Sequence, residues 1–397
     1  TLAHFVLEGT LLDKKNGVPI VYATVGVEGT SIGSITNQAG EFRLHLADSL
    51  RRKSLVFSHV GYVAQKIDIP LLTAGQHFTF TLEPRIFPLQ EVVIRVVHPI
   101  RLMREMLEKR MLNYSQKPVY FTTFYREGVQ YKQKFRSLTE AVFKIYKSPV
   151  QSLYAREQVK LLKMSRITDG LEQDTLIARM SGGIDACLQL DIINHLPDFL
   201  LADAHKDVYA YTSADVTIVG DHLVNVISFE QKKEVKEPLY CGELYIDSDN
   251  GALLQAQIRI HPRYMKQATD MVVQRQARRM KIVLQELTYT ISYKPWNGTY
   301  YINHVRGDLH FKVKQKRQWL GSSSLHTWFE MVTCKIDTVG VTRFQRNERI
   351  PTRTVFADTH FKYDSDFWEN FNVIPWEKQL VEVIEQLTSK IEKIEYE

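Results

Sequence analysis

Histidines set within one helical turn of a carboxylate are where a metal-activated water would be held, and the chain offers two such pairs, His45 with Asp48 and His195 with Asp198. A zinc hydrolase needs three protein ligands and an open fourth position. No His-x-x-Glu occurs among the 13 histidines, and neither pair has a third ligand at a workable spacing, so no metal site and no cofactor is expected. Asp247-Ser248-Asp249-Asn250-Gly251 opens as a calcium loop does, but Ile258 stands where the bidentate carboxylate belongs. A hairpin tip is the reading taken. No Gly-x-Ser-x-Gly elbow is read in the chain, nor a phosphate loop ending in Gly-Lys-Ser/Thr, nor a Gly-x-Gly-x-x-Gly opening a helix, so no nucleophile or nucleotide chemistry is expected.

One stretch combines charge with period. His310, Lys312, Lys314 and Lys316 alternate with Leu309, Phe311 and Val313, so a strand would put four basic groups on one face, with Arg317 and Trp319 just beyond. These six residues are the candidate ligand-binding set, suited to anionic lipid head groups or to an acidic patch on a partner. The same pattern also describes a solvated sheet face whose lysines discourage edge pairing. Trp296, Tyr300, Tyr301, Trp319 and Trp328 fall in the same region and could line a sugar or lipid groove, or simply pack within a sheet. Carboxylates and histidines between residues 169 and 222 are a second place where acid–base work could be done, which keeps a hydrolase of unspecified type as the alternative.

The elements that must carry these groups are mostly strands. Phe42, Leu44 and Leu46 alternate with Glu41, Arg43 and His45, and Phe78, Phe80 and Leu82 with His77, Thr79 and Thr81. Asn16-Gly17, Glu28-Gly29, Gln38-Ala39-Gly40 and His59-Val60-Gly61 supply turns between short strands, the spacing of a β-sandwich over residues 1–83. Pro84, Pro88 and Pro99 then punctuate a linker around an extended run, Val92 to Val97, and Ile100–Asn113 has helical spacing, giving a bridge over 84–117. From 118 to 397 the pattern predicts a large curved antiparallel sheet. Its clearest member is a hairpin from Leu239 to Ile260, followed by strands at Leu287–Tyr293, Tyr300–Val305, Leu309–Lys316 and Thr327–Ile336. Residues 155 to 210 show no clean period and read as helix and loop. Leu380, Ile384, Leu387, Ile391 and Ile394 form a stripe that predicts a C-terminal helix packed on the sheet. The fold class is mainly β.

A length of 397 residues supports more than one core, and 44% hydrophobic with 24% charged residues is ordinary globular usage. The greasiest segment, Leu188 to Ala202, contains Asp191, His195, Pro197 and Asp198, so no spanning helix is expected. A formal charge of +6 is mild for this length and no nucleic acid is expected as a partner. Cys187, Cys241 and Cys334 are far apart and read as buried thiols. The chain opens at Thr1 without a basic and apolar leader, and the expectation is of an exported protein whose signal peptide has been removed.

Certain segments carry a family likeness. Gly9-Thr10, Asn16-Gly17-Val18-Pro19-Ile20, Ala23-Thr24-Val25, Thr36-Asn37-Gln38-Ala39-Gly40-Glu41-Phe42 and Phe57-Ser58-His59-Val60-Gly61-Tyr62 resemble the carboxypeptidase-regulatory-like domain, a transthyretin-like sandwich of seven strands. Leu82-Glu83-Pro84 and Leu89-Gln90-Glu91-Val92-Val93-Ile94 are similar to the segment that joins this module to TonB-dependent receptors of Gram-negative outer membranes. No receptor plug or barrel follows. Phe124-Tyr125-Arg126-Glu127, Glu140-Ala141-Val142, Gly242-Glu243-Leu244-Tyr245-Ile246-Asp247 and Tyr363-Asp364-Ser365-Asp366-Phe367-Trp368 instead resemble bacterial proteins that carry the same sandwich on a different β domain. The layout of that second domain is also similar to the half-barrels of periplasmic lipoprotein carriers. The likeness implies a non-enzymatic envelope protein, periplasmic or associated with the outer membrane, with an accessory sandwich and a partner protein or an apolar or glycan ligand.

Overall fold

In the computed structural model the described residues are 4–85, 98–150, 157–168, 178–180, 183–201, 203–276, 280–315, 321–352, 368, 371–378, 380–382 and 384. The N-terminal part is the sandwich that the turn spacing predicts. Its strands are β1 (His4–Asp13), β2 (Thr24–Val27), β3 (Gly33–Ile35), β4 (Glu41–Ala47), β5 (Ser54–Ser58), β6 (Gln65–Asp68) and β7 (His77–Leu82). They form a three-stranded sheet, β4-β1-β7, and a four-stranded sheet, β3-β2-β5-β6. The alternation of β4 turns Phe42, Leu44 and Leu46 inward, where they meet Val25, Leu55 and Phe57 of the facing sheet in a core separate from the rest of the molecule. Phe57 and Phe80 lie 4.9 Å apart between ring centroids at its centre.

Helix α1 (Pro99–Glu108) opens on proline, whose fixed φ suits the first helical position. Its apolar side, Leu102, Met103 and Met106, is buried. The expected helix to Asn113 continues as a separate turn, α2 (Arg110–Asn113).

The later strands are β8 (Val119–Tyr131), β9 (Lys134–Lys147), β10 (Gln158–Thr168), β11 (Ala178–Met180), β12 (Tyr209–Val219), β13 (His222–Gln231), β14 (Tyr240–Asp247), β15 (Leu253–Ile260), β16 (Val273–Gln276), β17 (Met280–Trp296), β18 (Thr299–Gln315) and β19 (Ser323–Asp337). Ten of them make one antiparallel sheet in the order β10-β9-β8-β19-β18-β17-β15-β14-β13-β12, while β11 pairs with β16. Two expectations are corrected here. Gln158–Thr168 is a strand rather than helix and loop, and a bulge between Leu161 and Lys163 breaks the alternation that would have marked it. The expected strands Tyr300–Val305 and Leu309–Lys316 are, as far as the described residues go, one strand through Gly307, ending at Gln315. A Cβ on Gly307 would lie 2.4 Å from the Phe329 ring, so the glycine admits a cross-strand ring rather than ending a strand.

One face of the large sheet holds the main core. Tyr125, Phe143, Val305 and Met331 point to it, and α1 and Ile184, Cys187 and Leu188 of the helix Gly183–Gln189 cover it. The opposite face is covered in its middle by the sandwich and by Val373, Ile374, Leu380 and Ile384 of the C-terminal segment. Ile35 of β3 joins Phe124, Val142 and Val332 there, and Leu380 and Ile384 bury against Leu138, Ile167 and Trp328. Leu380 and Ile384, the described members of the C-terminal stripe, thus pack on the sheet; Leu387, Ile391 and Ile394 lie outside the described residues, as does the run Val92 to Val97.

Polar contacts stitch the two parts together. Ser31 Oγ donates to the Ile336 carbonyl at 2.9 Å and accepts from the Ile336 amide at 3.0 Å. Asn303 Nδ2 donates to Thr24 Oγ1 at 2.9 Å, and the Gly61 amide donates to the Ile218 carbonyl at 2.7 Å. The sandwich nevertheless owns a full core, and its strand ladders are internal apart from the single bridge of Val60 to Val219. A fragment of residues 1–85 is expected to show one cooperative thermal transition, at a lower temperature than the intact chain because Ile35 loses its cover. Poor amide dispersion in its NMR spectrum would show that the sandwich depends on the large sheet.

Candidate functional site

Where both faces of the sheet are covered, four charged side chains lie side by side on adjacent strands. The register sets Arg306 of β18 opposite Glu330 of β19, Glu330 opposite Arg126 of β8, and Arg126 opposite Glu140 of β9. The signs alternate, which is the favourable cross-strand order. Arg126 donates to Glu330 Oε1 through Nη2 at 2.9 Å and Nε at 3.1 Å, while Glu140 Oε1 lies 3.7 Å from Arg126 Nη1. Arg306 Nη1 is 3.3 Å from Glu330 Oε2 and its fork grips Asp308 at 2.7 and 2.9 Å. Burial alone would raise the Glu330 carboxyl, but Arg126 and Arg306 bracket it and hold it well below the usual carboxylate range. Glu140 goes the other way. Burial dominates its weaker pairing with Arg126 and pushes it up to about 7, even though the Trp376 indole donates to Oε1 at 2.7 Å.

Glu140 also borders a cleft of about 340 Å³ between the sandwich, the sheet and the C-terminal segment. Its floor is the outer face of β4-β1-β7, where the register aligns Arg43, Glu8 and His77 across three strands. Arg43 Nε pairs with Glu8 at 3.1 Å, and Thr10 Oγ1 lies 2.7 Å from His77 Nε2. Trp368, Pro375 and Trp376 form the wall. Segments from both ends of the chain meet here, which the local period of the sequence does not reveal.

A second cleft, of about 370 Å³, runs between α1 and the residues before β12. Ile100, Met103, Leu107, Leu200, Leu201 and Tyr211 line it, and Arg104, Glu108 and His205 stand at its rim. Leu201 is 50% exposed, a large apolar side chain left open to solvent at the mouth.

Of the candidate set read from the sequence, His310, Lys312 and Lys314 stand together on the exposed side of β18, as their alternation predicts. His310 stacks on His326 with centroids 4.0 Å apart. Neither cleft includes these residues, and Lys316, Arg317 and Trp319 lie outside the described residues. The acid–base alternative places His195 and Asp191 in a closed cluster. Lys147 Nζ reaches Glu157 at 2.7 Å and Asp191 at 2.8 Å, His195 Nε2 lies 3.3 Å from Glu157, and Tyr293 donates to Asp191 at 3.0 Å. Lys147, Glu157 and Asp191 are almost fully buried and satisfy one another, so this cluster offers no open base.

Two motif readings need correction or extension. Gly29-Thr30-Ser31-Ile32-Gly33 does match the Gly-x-Ser-x-Gly pattern, but it forms the β2–β3 connection rather than a strand-to-helix elbow, and Ser31 is taken up by Ile336. The tip at Asp247 is the expected turn, with Oδ1 accepting from the Asp249 and Asn250 amides at 2.8 and 3.3 Å. His222, from the neighbouring strand, brings Nδ1 to 2.7 Å from Asp247 Oδ2, so His222, Asp247 and Asp249 come within reach of a single cation. Cys187, Cys241 and Cys334 are free thiols, and no helix among the described residues is long and apolar enough to cross a membrane.

The family model for the CarboxypepD_reg-like domain matches residues 7–94. No curated protein matches the chain. Among solved structures, a domain assigned to outer membrane lipoprotein sorting from Vibrio parahaemolyticus aligns over 63% of this chain and 94% of its own, at 10% identity and a TM-score of 0.26. A DUF1329 family protein from Desulfovibrio piger aligns over 62% and 96%, at 10% identity and a TM-score of 0.27. A LolA superfamily protein from Nitrosomonas europaea aligns over 58% and 93%, at 9% identity and a TM-score of 0.19. Likenesses this distant assign this chain neither a ligand nor an activity.

Proposed function

We propose that this chain, whose N-terminal module is a CarboxypepD_reg-like domain, is a non-enzymatic binding protein of the bacterial cell envelope that holds an amphiphile in the cleft beside α1. The observation that carries this reading is the composition of that cleft: a mostly apolar lining, with Arg104, His205 and the single acid Glu108 as its polar members. Its volume falls within the roughly 300–1,000 Å³ of small-molecule sites. An acyl chain laid along Ile100, Met103, Leu107 and Leu200 gains about 0.8 kcal/mol per methylene removed from water. Arg104 and His205 stand where an anionic head group would emerge. The non-catalytic part of the reading is supported by the closed Lys147–Glu157–Asp191 cluster. The exposed row His310, Lys312 and Lys314 fits the same picture as a face that attracts an anionic partner at long range.

Titration with the fluorescent fatty acid cis-parinarate is the direct test. Saturable binding is expected, weakened about tenfold by Leu201→Asp, a loss of about 1.4 kcal/mol. Leu201 is exposed enough that its replacement leaves the fold intact. Arg104→Glu should weaken binding several-fold and remove its salt dependence. Absence of saturable binding to the unaltered protein would end this reading.

A further inference from the structure

We propose that the cleft at the junction of the sandwich, the sheet and the C-terminal segment is a separate carbohydrate site, taking a short stretch of neutral or amino-sugar glycan. It is carried by observations independent of the apolar cleft, because the two clefts share no lining residue.

The two sides of the junction cleft differ in kind. On one side Trp368 and Trp376 are half-buried indoles held in place. Trp368 stands edge-on to Phe124, with centroids 6.0 Å apart at 89°, and the Trp376 N–H is tied to Glu140. On the other side Glu8, Arg43 and His77 form a polar row on strands, a rigid support for hydrogen bonding. A pyranose ring has this same division: C–H faces that lie against an aromatic ring, and hydroxyls around its edge that bond to carboxylates and imidazole. An acyl chain would strip water from the charged floor and return no hydrogen bond, which is costly.

The charge of the lining narrows the sugar further. Glu8 and Glu41 stand beside one guanidinium of the lining, Arg43, which Glu8 already engages, while Glu140 turns to Arg126 and the Trp376 N–H. Glu41 is held in place by the Asn37 side-chain amide at 3.1 Å. A uronic acid would meet repulsion, whereas an amino sugar would find acceptors for its ammonium and an indole face to lie over.

Isothermal titration and tryptophan fluorescence with three defined probes test this: cellohexaose, the β-1,4 glucosamine hexamer and hexagalacturonate. Either of the first two is expected to bind and quench, about tenfold or more tighter than hexagalacturonate. No binding by either, or preference for galacturonate, overturns the proposal. Trp376→Ala should abolish binding. Because Trp376 also packs against the fold, exposed His77→Ala is the second variant, expected to weaken binding several-fold with its melting temperature unchanged. Glycan binding that survives both substitutions, or that is lost on Leu201→Asp in the other cleft, would place the site elsewhere and overturn the assignment.

Discussion

Arg126→Met should destabilise the protein by about 3–5 kcal/mol, seen as a shift of the urea midpoint with little change in slope. Arg126 is 1% exposed and its guanidinium is the one positive charge between Glu330 and Glu140. It also lies 3.5 Å from the carbonyls of Ile374 and Pro375, so it ties the C-terminal segment to the sheet. Methionine fills most of the volume but supplies no donor, leaving Glu140 with only the Trp376 N–H and Glu330 with Arg306 and His304. The cost comes from uncompensated buried carboxylates, so removing one of those charges as well should return part of it. Arg126→Met with Glu140→Gln is therefore expected to be less destabilised than the sum of the single changes, with coupling of about 0.5–3 kcal/mol. The Trp376 emission should also shift to the red as the segment loosens. A loss below about 1 kcal/mol would mean that the row Arg306–Glu330–Arg126–Glu140 is solvated in solution and does not clamp the two parts.

How much of this could be read in advance follows from the range over which each signal acts. The alternation of Phe42, Leu44 and Leu46 is a local consequence of one buried face, and β4 is found where it predicts. The turn Asn297-Gly298, both residues at positive φ, is likewise local and joins β17 to β18. β10 was hidden because its bulge at Leu161 and Lys163 shifts the period in mid-strand. Gly307 misled because a glycine that ends a strand and one that admits Phe329 look alike in sequence. The basic row on β18 was visible as His310, Lys312 and Lys314, yet sequence does not say which parts of a sheet face other segments cover. That same β18 face is open at Lys312 and buried at Arg306, because among the described residues the sandwich and the C-terminal segment cover only its middle. The junction cleft needs Glu8, Glu140 and Trp376, brought together from three distant segments. The signal that could have found the buried row, and that the sequence reading did not take up, is charge in otherwise apolar strands, Arg126 after Phe124 and Tyr125 and Glu140 before Ala141 and Val142.

Glu140 makes the second large prediction, in the pH dependence of stability. Its carboxyl is 3% exposed, and burial raises it to about 7 against an ordinary value of 4.5. The folded state therefore binds this proton more tightly than the unfolded chain does. The stability that results is fully present below about 4.5 and is lost as pH rises through about 7. The charged groups facing it are Arg126, Glu330 and Glu377, with the Trp376 N–H on Oε1. Glutamine retains an acceptor for that N–H and cannot ionise. The difference in unfolding free energy, native protein minus Glu140→Gln, should thus fall by a few kcal/mol between pH 4.5 and 7 and be flat on either side. Taking the difference matters because other groups titrate in the opposite sense. Burial lowers His59 and His304, so their contribution grows as pH rises through the folded values toward 6.5, and it cancels between the two proteins. Urea melts at half-unit pH steps supply the measurement. A difference that stays flat from pH 4 to 8 would show that Glu140 is ionised in the folded protein and that Arg126 serves both carboxylates equally.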